Sequence, residues 1–164
     1  MISKGKIKVM GKKDVYDDVD ILLKDLKSDI EDTLMDEVLD EVKNIEIEHI
    51  EQDVFSVYSP SIYERRSTDG IDDPNNIVGE VRGLQLEVDN VAEFNNDYGT
   101  YNRGRGLADL VNDGEGKSGY YYDYPGEFER ERPFIDNTIE EIQKTDSVEN
   151  ALAKGLKKRN YDVV

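Results

Sequence analysis

The feature that most constrains this fold is an uninterrupted helical pattern between residues 14 and 54. Apolar side chains recur there about every three or four residues, and neither proline nor glycine breaks the stretch. Asp14 is the predicted N-cap, and Asp17, Asp18 and Asp20 suit the positive end of the helix dipole. The apolar positions are Val15, Val19, Leu22, Leu23, Leu26, Ile30, Leu34, Val38, Val42 and Ile45.

The predicted helix is too long for a small domain to cover. About 40 residues at 1.5 Å each give a helix roughly 60 Å long. Either the helix breaks near Asn44, or part of its apolar stripe packs on other subunits.

The other faces of this helix are acidic. Only Lys24, Lys27 and Lys43 oppose the carboxylates, and pairs such as Asp32 and Asp36 repel each other at i, i+4. These faces are either solvated, or form an electronegative surface that a partner or a channel meets. The acids are Asp25, Asp29, Glu31, Asp32, Asp36, Glu37, Asp40, Glu41, Glu46, Glu48 and Glu51.

The totals narrow the class of protein. The 164 residues fit one domain, or one domain with an arm, and 38 acids against 21 Lys plus Arg give a net charge of -17. Such a charge disfavours a nucleic-acid binder. Without cysteine there is neither a disulfide nor a thiolate metal site, and no apolar run suits a membrane span. We expect a soluble, intracellular protein whose modest core is completed by other subunits.

The remaining segments predict an α+β fold with a long N-terminal helix, a small antiparallel β-sheet and a C-terminal helix. Residues 77–92 alternate as two strands with Gly83 near their connection, and residues 106–112 form a short helix. Pro133 opens the last helix, with a break at Asp146 or Ser147. The predicted division is a basic tail or arm at 1–13, one domain at 14–145 with a Tyr-rich loop at 113–132, and a helical extension at 146–164.

Two segments offer possible chemistry, and neither predicts an enzyme or a cofactor. His49 has Glu46 and Asp53 on its side of the helix, but the chain has no second histidine for a zinc site. Residues 69–76 are rich in oxygen ligands, yet the glycine position does not match a calcium-binding loop, so a turn is the favoured interpretation.

Tyrosines mark a predicted contact surface. Four of them precede Pro125 in the Tyr-rich loop, namely Tyr120, Tyr121, Tyr122 and Tyr124. Tyrosine is favoured at protein contacts because it combines a large apolar area with a polar tip. Tyr58 and Tyr63 flank Pro60 and are assigned to the same kind of surface.

The order of three motifs resembles that of the neck or tail-completion proteins of long-tailed bacteriophages. The motifs are SVYSPSIYERR at 56–66, GLADLVNDGEG at 106–116 and ERPFIDNTIEEI at 131–142. The resemblance implies a homo-oligomeric ring, often of six subunits, in the virion neck where the capsid joins the tail. It implies structural or interface roles, and no catalysis, for the matching residues Tyr58, Tyr63, Arg65, Arg132, Pro133 and Phe134.

The implied partners are further copies of the chain, a head-completion (stopper) or connector protein, and a tail terminator or tail tube protein. DNA would pass through the ring without sequence-specific binding, and no membrane is involved. The alternative interpretation of the same acidic helix is a DNA mimic that inhibits a nucleic-acid enzyme. A ring in solution would favour the first interpretation, and a monomer or dimer that competes with DNA would favour the second.

Overall fold

A computed structural model of the chain describes residues 18–57, 68–93, 106–114 and 131–163. It confirms the α+β class, with a long N-terminal helical run, a small antiparallel sheet and a C-terminal helix. Two π-helical segments, Leu34–Val38 and Ile50–Phe55, follow α1 and α2. The other elements are α1 (Val19–Thr33), α2 (Leu39–His49), β1 (Ile77–Arg82), β2 (Gln85–Asn90), α3 (Leu107–Asp113), α4 (Phe134–Lys144) and α5 (Ser147–Lys158).

The N-terminal helical run begins later than predicted. Asp18 is the N-cap, with extended backbone at φ -136° and ψ 128°, and its carboxylate accepts from the Asp20 N–H at 2.9 Å. Asp14, the predicted cap, lies outside the described residues. Residues 19–55 are helical throughout, so the predicted break near Asn44 is absent. Packing of the stripe against other subunits stays a prediction.

The two π-helical segments widen the helix locally. Each accommodates additional backbone in a turn closed by i→i+5 bonds, which changes the phase of the side chains that follow. No local propensity predicts such segments, and the apolar periodicity of this stretch predicted neither of them.

The predicted hairpin is confirmed. Gly83, with φ 67°, and Leu84 connect β1 to β2, and a two-residue hairpin loop needs such a left-handed residue at its first position. Gly79 is held against the helical run, because a Cβ there would lie 2.9 Å from both Cδ atoms of Leu39. Leu86 and Val88 on β2 are half-buried, while its alternate residues are exposed.

The chain divides into two compact units. The first comprises Met1–Glu41, Gly79–Glu87 and Asp146–Val164, and the second comprises Val42–Val78 and Val88–Thr145. Among the described residues, the first unit buries few hydrophobic side chains, which are Leu22, Val38, Leu39, Ala151 and Tyr161.

In the first unit, α5 packs against α1 and the π-helical segment Leu34–Val38. Gly155 makes this approach possible. A Cβ at Gly155 would lie 2.4 Å from Thr33 Cγ2 and 2.6 Å from Glu37 Oε2, which is closer than real side chains come.

The second unit contains the larger core. Ile50 and Phe134 are fully buried at 0% exposure, and Phe55 and Ile135 pack against the cluster from its edge. The other members of the cluster are Val54, Ile71, Ala92, Leu107, Ala108 and Val111.

The predicted helices of the second unit are confirmed. α3 ends where Gly114 adopts the left-handed conformation at φ 62°, and α4 begins directly after Pro133. α4 ends at Lys144 and α5 begins at Ser147, which is the predicted break. None of the described helices has the length and apolar content that a membrane crossing needs.

Candidate functional site

His49 lies between two carboxylates in the second unit. Its Nδ1 is 3.0 Å from Asp53 Oδ2, and its Nε2 is 2.9 Å from Glu141 Oε2 on α4. Asn137, also on α4, donates through Nδ2 to the same Asp53 oxygen at 2.9 Å. The His49 side chain is only 14% exposed. The cluster therefore ties the end of the N-terminal helical run to α4.

The sequence places Glu46 and Asp53 on the His49 side of the helix and favours no site there. Asp53 is one partner, but the second is Glu141 and not Glu46. Both contacts are hydrogen bonds only when both ring nitrogens carry protons, because an ionised carboxylate can only accept. The two carboxylates approach opposite ring nitrogens, so they do not converge on one metal-binding point. Within the described residues, no group of three or more potential ligands suits a metal ion.

We expect His49→Leu to lower the free energy of unfolding by about 1–3 kcal/mol, because two carboxylates lose a partly buried donor. Urea denaturation of this variant, of Glu141→Ala and of the double variant measures the interaction energy between His49 and Glu141. We expect a coupling energy of about 1 kcal/mol. Additive effects of the two single substitutions would show that the His49–Glu141 contact contributes nothing.

A second polar cluster surrounds Asn90 at the end of β2. Its Nδ2 donates to Glu46 Oε1 and to the Ile71 carbonyl, both at 2.8 Å, and its Oδ1 accepts from the Ala92 N–H at 3.2 Å. Asn90 and Glu46 are both 7% exposed. Asn90 thereby joins the helical run, the 68–76 turn region and the chain after β2.

The environment of Glu46 favours its neutral form. Burial raises the pKa of its carboxyl above the ordinary value of 4.5, and the charge of Asp89 raises it further, while the hydrogen bond from Asn90 lowers it. A raised pKa means that the protonated form stabilises the fold. This stabilisation is complete below the ordinary pKa and is lost as the pH rises through the pKa of the folded state.

Glu46→Gln should therefore be more stable than the natural chain at pH 7, with a smaller difference at pH 4. Glutamine is neutral at both values, and its carbonyl can still accept from Asn90. Urea denaturation between pH 4 and pH 8 measures the effect. Glu48→Gln, on an exposed carboxylate of the same helix, corrects for the general loss of one negative charge. A stability gain that does not depend on pH would contradict the raised pKa of Glu46.

In the first unit, carboxylates of the helical run contact the cations at the C-terminal end of α5. Glu37 accepts from Lys158 Nζ at 3.0 Å and from Arg159 Nη1 at 2.9 Å, and Arg159 Nη2 also donates to Asp36 at 2.7 Å. Burial raises the pKa of Glu37, but the hydrogen bonds from both cations outweigh it and leave the pKa below its ordinary value. Tyr161 donates its hydroxyl to the buried Asp29 at 2.8 Å.

Other carboxylates of the helical run lie open on the surface. Asp32 and Asp40 are exposed, and no cation among the described residues pairs with them. On α1, Val19 and Leu23 are 50% and 55% exposed, although both belong to the predicted apolar stripe. The surface of the first unit therefore combines open carboxylates with uncovered apolar side chains.

Three of the predicted contact residues lie at the start of α4. Arg132 is buried, with its backbone N–H directed at the carbonyls of Val111 and Asn112, both at 3.2 Å. Pro133 is exposed, and Phe134 lies in the core with a structural role. The other predicted contact residues lie outside the described part, namely Tyr58, Tyr63, Arg65, Tyr120, Tyr121, Tyr122 and Tyr124. An interface role for any of these residues stays a prediction.

The predicted turn at 69–76 is confirmed. Asp73 accepts from the backbone N–H groups of Asp69 and Asn75, each at 2.9 Å, and Asn76 Nδ2 donates to the Gly70 carbonyl at 2.8 Å. These oxygens thus accept hydrogen bonds from within the segment and stabilise the turn.

Comparison with known proteins gives one match. The family model named YomN matches residues 18–158, which include every described helix and strand. No curated protein and no solved structure matches the chain.

Proposed function

Because this chain belongs to the phage-associated YomN family, we propose that it is a structural virion protein of the phage neck. In this role it forms a homo-oligomeric ring at the head–tail connector and completes the tail or joins it to the capsid. Its partners are further copies of itself, a head-completion or connector protein, and a tail terminator or tail tube protein. It is made in the host cytoplasm and acts without catalysis.

The observation that supports a ring best is the uncovered apolar surface of the first unit. Val19 and Leu23 on α1 and Leu84 at the hairpin tip are each half or more exposed, at 50%, 55% and 59%. This unit buries few hydrophobic side chains of its own among the described residues. Apolar surface left open in a small unit is typical of a protein whose core is completed by association.

The acidity of the helical run suits a DNA channel. Asp32 and Asp40 are exposed, and the chain has a net charge of -17. A negative lining repels phosphates, so a genome can slide through without sticking. In the proposed ring, these carboxylates face the channel and the apolar residues of α1 meet the neighbouring subunit.

The decisive experiment is the mass of the purified protein in solution, alone and after mixing with tail tubes. We expect a closed oligomer with a central opening in negative-stain electron micrographs, and binding to the ends of tubes. Cells infected with phage that lack the protein should accumulate heads and tails that fail to join. A monomer under all conditions, together with infectious particles formed without the protein, would overturn the proposal.

One observation favours the alternative of an acidic DNA mimic. Asp32 and Asp40 are exposed on the helical run and have no cation partner among the described residues, whereas Asp36 between them pairs with Arg159. Open surface carboxylates of this kind resemble the phosphates of a DNA backbone. Displacement of DNA from a nucleic-acid enzyme by a monomeric or dimeric chain, lost in Asp32→Asn/Asp40→Asn, would support this function over the ring.

A further inference from the structure

The hairpin has strand edges that no described segment covers. β1 and β2 pair with each other in a two-stranded sheet, and no backbone hydrogen bond joins either strand to a third segment within 18–57, 68–93, 106–114 and 131–163. An open edge presents rows of N–H and C=O groups on which a further strand can pair. A two-stranded hairpin also depends on what packs beside it.

The side chains of β2 define which strand would fit its edge. Gln85, Glu87 and Asp89 are exposed on one face, and Leu86 and Val88 are half-buried on the other. The exposed face of β1 carries Arg82, which pairs with Glu80 at 2.9 Å and with Glu87 of β2 at 3.2 Å. Asp89 is thus the β2 carboxylate that has no cation partner among the described residues. A complementary strand for β2 therefore alternates cations with branched apolar residues.

Residues 6–10 have this alternation, as Lys6, Ile7, Lys8, Val9 and Met10. They belong to residues 1–13, which contain five lysines and no acid. Isoleucine and valine favour strands, and lysines directly beside carboxylates on a neighbouring strand stabilise the pairing. Charge and pattern thus match this segment to the β2 edge.

The length of chain between residues 6–10 and Asp18 favours a second copy of the chain as the donor of this segment. The hairpin contacts the helical run at Leu39, through Gly79, about 30 Å along the axis from Asp18. The nine residues that separate Val9 from Asp18 span at most about 30 Å when fully extended. A segment from the same chain would need a completely taut connection, whereas a neighbouring subunit imposes no such limit.

We propose that residues 6–10 of one subunit add to the β2 edge of a neighbouring subunit as a third strand. Lys6 lies beside Asp89 and Lys8 beside Glu87, and the apolar residues between them cover the other face. This inference rests on the proposed function, because it supplies the contact between successive subunits of the ring. The contact is heterologous, since each subunit gives a segment on one side and receives one on the other.

The chain has no cysteine, so engineered disulfides give a clean test. With Lys6 beside Asp89 and Lys8 beside Glu87, the antiparallel pairing puts Ile7 opposite Val88 and Val9 opposite Leu86. Ile7→Cys mixed with Val88→Cys, and Val9→Cys mixed with Leu86→Cys, should therefore form disulfides under mild oxidation that join two different chains. Directly opposed residues on neighbouring strands have Cβ atoms close enough for such a bond. Lys8→Cys mixed with Leu86→Cys is the matched control, because Lys8 faces the opposite side of the added strand.

Charge exchange tests the partner assignment without relying on cysteine geometry alone. In the Val9→Cys protein, Lys6→Glu/Lys8→Glu should reduce the crosslink to Leu86→Cys roughly tenfold, because two attractive pairs become repulsive. Introducing Glu87→Lys/Asp89→Lys into the Leu86→Cys protein should restore most of it. Lys12→Glu/Lys13→Glu makes the same change of net charge outside the paired residues and should leave the crosslink intact.

The mass of the uncrosslinked protein separates this inference from the proposed function. A ring with crosslinks at Ile7 or Val9 supports both, and a ring without them overturns only the strand addition. A monomeric chain that forms no crosslink overturns both. A chain carrying both cysteines whose disulfide forms within one chain overturns the exchange between subunits, whatever the oligomeric state.

Discussion

Phe134→Ala should lower the free energy of unfolding by about 3–5 kcal/mol, the largest effect expected of any single substitution in the second unit. The side chain is 0% exposed and belongs to a cluster that includes Ile50 and Val111. Its removal deletes a complete aromatic ring and leaves a cavity, because most of the surrounding side chains come from helices that cannot easily collapse inward. Urea denaturation followed by circular dichroism measures the loss.

Two controls make this expectation specific. Pro133→Ala changes the exposed neighbour at the same helix start and should cost much less. Phe134→Leu retains most of the apolar volume and should fall between the two. A loss below about 1 kcal/mol for Phe134→Ala would mean that Phe134 is not a core residue.

Gly155→Ala should destabilise the first unit by about 1–3 kcal/mol, although alanine normally favours a helix over glycine by about 1 kcal/mol. The reason is the approach of α5 to the helical run. The added Cβ would lie 2.4 Å from Thr33 Cγ2 and 2.6 Å from Glu37 Oε2, and Thr33 is fully buried. The helix must therefore move away, which weakens the Glu37–Arg159 ion pair.

The steric cause can be tested by removing the close contact between the added Cβ and Thr33. Thr33→Ser removes the nearest methyl group while keeping the hydroxyl that donates to the Asp29 carbonyl. In this background, Gly155→Ala should cost measurably less than in the natural chain, as determined by a double-mutant cycle. Ala153→Gly, in the same helix, provides the ordinary propensity effect for comparison. If Gly155→Ala raises stability, α5 does not pack in this way.

Local patterns predicted the elements of this fold well, because their causes lie within a few residues. The hairpin around Gly83, the turn at 69–76 and the start of α4 after Pro133 each depend on neighbouring backbone chemistry. Asp53 was found as a partner of His49 for the same reason, since residues at i and i+4 share a helix face.

The apolar stripe of α1 was predicted less well. Leu22 is buried as expected, but Asp29 and Thr33 continue the buried row, while Val19 and Leu23 remain half exposed. A periodicity that counts only apolar residues cannot find this face. Thr33 is buried because its hydroxyl donates to its own helix, and Asp29 because it receives the Tyr161 hydroxyl from 132 residues away.

Long separation along the chain also explains why the sequence did not predict all partners in the polar clusters. Glu141 reaches His49 across 92 residues, and Asn90 reaches Glu46 across 44 residues. Asn90 belongs to no motif, and Glu141 lies in the 131–142 motif without a role assigned to it. Nothing in the neighbourhood of either residue distinguishes it from the other acids and amides of the chain. Only the tertiary arrangement brings such residues together, so sequence spacing could not assign them.

The pairing of Tyr161 with Asp29 has a consequence for the order in which the two units are completed during synthesis. The first unit joins Met1–Glu41 to Asp146–Val164, so its closing helix leaves the ribosome after everything else that the unit contacts. All residues of the second unit emerge by Thr145, and local contacts form faster than distant ones. The second unit is therefore synthesised in full before α5 is made. The α1 surface is completed only after α5 has emerged, so α1 stays without this packing partner until the second unit has been synthesised.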